Sequence, residues 1–111
     1  MKTNHAVAAL SALAQEHRLA LFRLLIQAGE DGMAAGRIAE ALGLPNSSLS
    51  FHLAILQASG LIEQERQGRS LVYRADYAAM NGLIAYLTEN CCGGAPCADG
   101  RVIQATERET A

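Results

Sequence analysis

Residues 36–62 read GRIAEALGLPNSSLSFHLAILQASGLI. Two apolar stripes lie in this stretch, divided by a glycine and a proline. Ile38, Ala39 and Leu42 share one side of a short helix that Gly43 stops. Leu44, Pro45 and Asn46 then make a tight turn, with Pro45 near the start of the next element. From there Leu49, Leu53 and Leu56 recur at i, i+4 and i+7, the spacing of a buried helical stripe. The opposite side of the first turns carries Asn46, Ser47, Ser48, Ser50 and His52. Ser59 and Gly60 end the helix, and Leu61 is placed for the apolar contact that follows a glycine cap. Two short helices about a glycine turn, the second small and polar at its exposed start, form the pattern of a helix-turn-helix.

The flanking sequence extends that pattern. Residues 61–76, LIEQERQGRSLVYRAD, read as a β-hairpin with Gly68 at the turn and Leu71, Val72 and Tyr73 in a strand. A hairpin in this position is a wing. Upstream, residues 5–14 read as an Ala-rich helix with Val7, Leu10 and Leu13 at helical spacing. Residues 16–27, EHRLALFRLLIQ, read as a buried helix that is apolar nearly all round. The loop AGEDG follows, with Gly29 suited to cap a helix. A last helix over roughly 77–90 carries Tyr77, Met80, Leu83, Ile84 and Leu87.

At 111 residues the chain suits one domain with a modest core. Its apolar content of 50% argues against disorder, and no apolar stretch reaches the roughly 20 residues that cross a bilayer. AVAALSALA resembles a signal-peptide core, but Gln15, Glu16, His17 and Arg18 follow it at once. A structural helix in a cytoplasmic protein, with no membrane partner, is the expectation. The net charge of −2 supplies no overall basic field. Eight of the nine basic residues are Arg, however, and Arg66, Arg69 and Arg74 lie close together.

An α-helix fits the major groove of B-DNA, where Asn and Ser at its first turns reach base edges. Asn46, Ser47, Ser48, Ser50 and His52 are therefore candidate contacts to double-stranded operator DNA, and Arg66 and Arg69 are candidate wing contacts to phosphate or the minor groove. Each residue alone reads more readily as a solvated helix start or a decorated hairpin than as a DNA contact. The order helix, turn, helix, basic hairpin is what carries the DNA reading. The outer helices have more apolar surface than so small a core can use, which points to a homodimer placing two such helices about 34 Å apart.

The run LGLPNSSLSFHLAILQASGLIEQERQGRSLVYR resembles the ArsR/SmtB family of winged-helix metal-sensing repressors, and the likeness extends upstream through LAQEHRLALFRLL over roughly residues 5–90. The resemblance implies a mainly α fold with a β-hairpin wing, a dimeric winged helix-turn-helix that binds its operator without a cofactor and releases it when an ion binds. Carried over by position, its base contacts fall on Asn46, Ser48, Ser50 and His52, with Ser47 beside them, and its wing contact on Arg69. Two of the family's ion sites are missing. MAAGRIAEAL has no cysteine in the first helix of the motif, and the last helix offers Glu89 as its only acid and no histidine. What remains is the branch with a vicinal cysteine pair after the last helix and a third cysteine beyond, which responds to trivalent arsenic and antimony. TENCCGGAPC fits that pattern.

Every cysteine of the chain, Cys91, Cys92 and Cys97, lies in that short segment. An odd count in a reducing compartment argues against a simple disulfide staple. Soft thiolates select thiophilic ions, and three sulfurs match the three bonding positions of trivalent arsenic, whereas a closed structural zinc site usually needs four ligands. Gly93 and Gly94 permit the bend that brings both neighbours to one ion, and Pro96 helps return Cys97. A redox switch joining Cys97 to one of the pair is the alternative. A catalytic thiol is disfavoured, because these cysteines follow a helix C-terminus and have no histidine nearby in sequence. The expected organisation is a DNA-binding and dimerisation domain over 1–90 and a metalloid-binding tail over 91–111, with no enzymatic activity.

Overall fold

The computed structural model describes residues 1–94. Five α-helices and three short strands run in the order α1 (Thr3–Leu13), α2 (Glu16–Ala28), β1 (Met33–Ala34), α3 (Ala35–Leu42), α4 (Asn46–Ala58), β2 (Ile62–Gln67), β3 (Ser70–Ala75) and α5 (Tyr77–Leu87), with 3-10 turns at Gly29–Asp31 and Cys91–Gly94. The expected mainly helical architecture with a β-hairpin wing is what forms. Leu21 and Leu25 from α2, Ile38 from α3, Leu56 from α4 and Leu61 at the foot of the hairpin are the most deeply buried large side chains. Each contributes about 1.5–3 kcal/mol of apolar transfer free energy, so this five-way junction fixes α4 on the body.

The first helix packs differently from its expected spacing. Ala6, Ala9 and Ala12 form its buried side, while Val7 and Leu10 stand exposed and Leu13 is half-buried. Small side chains let α1 approach the body closely, and the larger apolar ones turn outward. The second helix is likewise two-sided, burying Leu21, Phe22 and Leu25 and exposing Leu19. Between the two helices, Gln15 caps α2 by accepting the Arg18 backbone N–H at 2.9 Å through its side-chain oxygen.

The sheet contains a strand that the sequence pattern did not reveal. Met33 and Ala34 pair antiparallel with Tyr73 and Val72, giving the order β1-β3-β2. Gly32 makes this approach possible. Its φ is +68°, and a Cβ there would lie 2.5 Å from the carbonyl oxygen of Tyr73.

The last helix ends at Leu87, short of the expected residue 90. The Thr88 hydroxyl donates to the Ile84 carbonyl at 2.8 Å, and Asn90 takes a left-handed φ of 56°, which no helix can continue through. At its start, Asp76 caps the helix by accepting the Ala79 N–H at 3.0 Å. Its Tyr77 hydroxyl donates to the Ile26 carbonyl at 3.0 Å. Near its end, the Tyr86 hydroxyl meets the Thr3 hydroxyl at 2.5 Å, tying α5 to the start of α1. No helix among the described residues is long and apolar enough to cross a membrane.

Candidate nucleic-acid interface

Gly43 ends α3 in the left-handed conformation, φ 65° and ψ 33°, and the Leu44 N–H closes the cap on the Ala39 carbonyl at 3.1 Å. Pro45 then holds an extended φ of −65° and opens α4 with no side-chain cap on its first amides. Those N–H groups carry the positive end of the helix dipole and suit an anion. Leu49, His52, Leu53 and Leu56 face inward. Asn46, Ser47 and Ser50 are exposed and Ser48 is half-buried.

His52 departs from its expected place among the outward polar residues. It is 8% exposed and lies under α4, where the Arg18 Nη1 donates to its Nδ1 at 3.4 Å. Since guanidinium only donates, Nδ1 is the acceptor and the imidazole is neutral. Burial, then the charge of Arg18, then that of His17 hold the His52 pKa below its ordinary value. Helical geometry accounts for the difference: a position three residues past Leu49 lies on the buried stripe. The exposed side of α4 continues instead through Phe51 and Ala54. Arg18 also donates from Nε to the Ala12 carbonyl at 2.7 Å, so one guanidinium joins the last turn of α1 to α4.

The wing is a regular antiparallel pair running from Ile62 opposite Ala75 to Gln67 opposite Ser70. Gly68 and Arg69 form its two-residue turn, and Gly68 supplies the positive φ of 63° that such turns demand. Arg66 and Arg69 are exposed and form no ion pair among the described residues. Arg74 does not join them. Its guanidinium lies 2.6 Å from Glu65 and 3.7 Å from Glu63, and its Nε donates to the Glu30 carbonyl at 3.1 Å. The hydrogen bond from Arg74 chiefly, and then that from Gln67, hold the Glu65 carboxyl below its usual range. The wing is therefore cationic at its turn and neutralised toward its base.

Cys91 and Cys92 sit in the 3-10 turn beyond α5, the first half-buried and the second exposed. Asn90, Cys92, Gly93 and Gly94 all have positive φ, and the Gly94 N–H returns to the Asn90 carbonyl at 3.2 Å. This curl is tighter than the two glycines alone foretold. Cys97 lies outside the described residues, so the structure brings only two of the three expected ligands into view. Among the described residues, no three His, Cys, Asp or Glu side chains converge on a common point.

A helix-turn-helix domain family matches residues 13–65, from the end of α1 into the wing. The HTH-type transcriptional regulator YgaV of Escherichia coli is 33% identical over 87 residues, covering 78% of this chain and 86% of the relative. An ArsR-like transcriptional regulator from Rhodococcus sp. RHA1 superposes with a TM-score of 0.69 at 26% identity, covering 96% of this chain and 92% of the other. The homodimeric winged helix-turn-helix DNA-binding domain of a possible ArsR-family regulator from Mycobacterium bovis gives a TM-score of 0.62 at 30% identity, over 78% and 81% of the two chains.

The chain belongs to the ArsR/SmtB family of winged-helix transcriptional regulators. The segment matched by the family model stops at Glu65, short of the wing turn and of the cysteines. The similarity of this ArsR/SmtB member to its relatives runs further, over 87 residues in the Escherichia coli regulator and 96% of the chain in the Rhodococcus structure. Phe51, which is not among the expected contacts, is exposed, and its i, i+4 relation to the exposed Ser47 places it on the same side of α4.

Proposed function

We propose that this regulator is an operator-binding homodimeric repressor that lets go when trivalent arsenic or antimony binds Cys91, Cys92 and Cys97. The observation that carries the reading is the position of the vicinal cysteines, curled at the end of α5 within a few residues of the Tyr86–Thr3 link. Thiolate donors fit a thiophilic metalloid, and the positive φ of Asn90, Cys92, Gly93 and Gly94 curls the backbone around the cysteine pair. The homodimer accords with the apolar surface on α1 and α5, where Val7 is 55% and Leu87 57% exposed. Between α2 and α5 an apolar groove lined by Leu19, Phe22, Ile26, Met80, Leu83 and Leu87 continues it.

In this reading the paired α4 helices enter successive major grooves through Asn46, Ser47, Ser48 and Ser50, and Arg66 and Arg69 meet the flanking backbone. His52 acts from behind, holding α4 in place. Closing three thiolates on one metalloid tightens the turn after α5. The change passes through Tyr86 and Thr3 to α1, and from the Ala12 carbonyl through Arg18 and His52 to α4. A coupling of about 1–3 kcal/mol along such a route changes operator affinity roughly 5- to 150-fold. Residues 1–90 form the DNA-binding and dimerisation unit in this scheme, and 91–111 the sensing tail.

Fluorescence anisotropy of the reduced full-length protein on its own upstream DNA, with arsenite, zinc and an oxidant added in turn, tests the proposal. Release by arsenite that is lost in Cys91→Ser and Cys92→Ser supports it. Release by the oxidant and not by arsenite replaces it with a thiol-redox repressor of the same fold. Retention of DNA after all three cysteines have bound the metalloid sinks the scheme.

A further inference from the structure

Phe51 is 62% exposed, more than any other large apolar side chain among the described residues. The rest of that exposed apolar set, Met1, Val7, Leu10, Leu19, Ile84 and Leu87, lies on or next to α1, α2 and α5, away from the reading side of α4. Helical spacing groups Phe51 with Ser47, Ser50 and Ala54, all exposed and all small. The ring thus stands as a lone knob in the middle of an otherwise low polar surface. It is also oriented, because it packs edge-on against the His52 imidazole with centroids 5.6 Å apart. His52 is in turn buried and held by Arg18.

In the major groove, thymine alone among the four bases presents a methyl group, and apolar side chains meet it. The serines beside Phe51 hydrogen-bond to more than one base and discriminate weakly. We propose that Phe51 reads thymine C5-methyl groups and sets the thymine preference of each operator half-site. The inference rests on the DNA-binding reading above and adds to it the residue that selects a base.

The test begins by selecting a binding site for the reduced full-length protein from a random duplex library. Each thymine of that site is then replaced by deoxyuridine, which removes only the methyl. Wild type loses about fourfold in affinity at one or two positions per half-site, the size expected for one methyl withdrawn from an apolar contact. Phe51→Ala is insensitive to the same replacements and selects sites without thymine preference there, while Phe51→Leu keeps the sensitivity. Because the side chain is exposed, the alanine variant melts with wild type. Wild-type indifference to every deoxyuridine, or undiminished sensitivity in Phe51→Ala, overturns the assignment while leaving DNA binding intact. Altered self-association of Phe51→Ala with unchanged base selection overturns it in favour of a protein contact. A wild-type protein that retains no duplex overturns the DNA-binding reading beneath it.

Discussion

Replacing Arg18 by alanine removes two bonds that join three helices. The Nε–H to Ala12 carbonyl bond is short at 2.7 Å and charge-assisted, a class worth about 1.5–3 kcal/mol. The Nη1 contact to His52 is long at 3.4 Å and contributes less. Arg18 is half-buried, so water reaches the vacated carbonyl and trims the loss. A destabilisation of about 2 kcal/mol at neutral pH follows, a fall of roughly 8 °C in Tm for a domain of this size. The pH dependence carries more information. The folded-state pKa of His52 lies below the ordinary 6.5, so on acidification through about pH 6.5 the unfolded chain takes up a proton that the folded chain refuses. Wild type therefore loses this part of its stability as pH falls. The variant lacks one cause of the depression and loses less, so the gap between the two proteins narrows from pH 7.5 to 5.5. Urea denaturation followed by circular dichroism at both values measures it, with operator affinity taken in parallel. Equal midpoints at pH 7.5 would show that the bridge does not hold the helices together, and a gap that widens in acid would refute the neutral, buried His52.

Two further perturbations separate the parts of the reading head. Gly32→Ala combines a positive φ with a Cβ 2.5 Å from the Tyr73 carbonyl, and should cost about 2–4 kcal/mol, whereas Gly29→Ala, with a similar φ of +76° and nothing within 4 Å, should cost about 1 kcal/mol. Equal urea midpoints for the two would remove the steric account of how β1 meets β3. Arg69→Ala should leave stability unchanged and reduce the slope of log affinity against log salt by about one, since a phosphate contact releases one condensed counterion. An unaltered slope would take Arg69 off the backbone.

Much of this fold was legible because its punctuation is local. Gly43, Pro45 and Gly60 each do what a glycine or proline does in any chain, and the Leu49, Leu53, Leu56 stripe needs only helical geometry. Tertiary choices were not legible. Nothing in the spacing of α1 says that Ala6, Ala9 and Ala12 turn inward while Val7 and Leu10 turn out, because that depends on how closely α1 approaches its neighbours. The two-residue β1 is too short to show a period of its own and exists through Tyr73 and Val72 far along the chain. At the interface, the serines were readable as a polar helix start. His52 was not, since its fate is decided by Arg18 on another helix. Arg74 looked like part of a basic cluster until pairing across the hairpin set Glu63 opposite it.

That last arrangement bears on how such a protein partitions in a cell. A regulator with net charge −2 has little long-range attraction for random DNA, and the neutralised base of its wing adds none. Unpaired positive charge on the hairpin is confined to its turn, at Arg66 and Arg69. Non-specific affinity draws almost wholly on phosphate neutralisation, so this layout lowers occupancy of the vast excess of wrong sites more than occupancy of the right one.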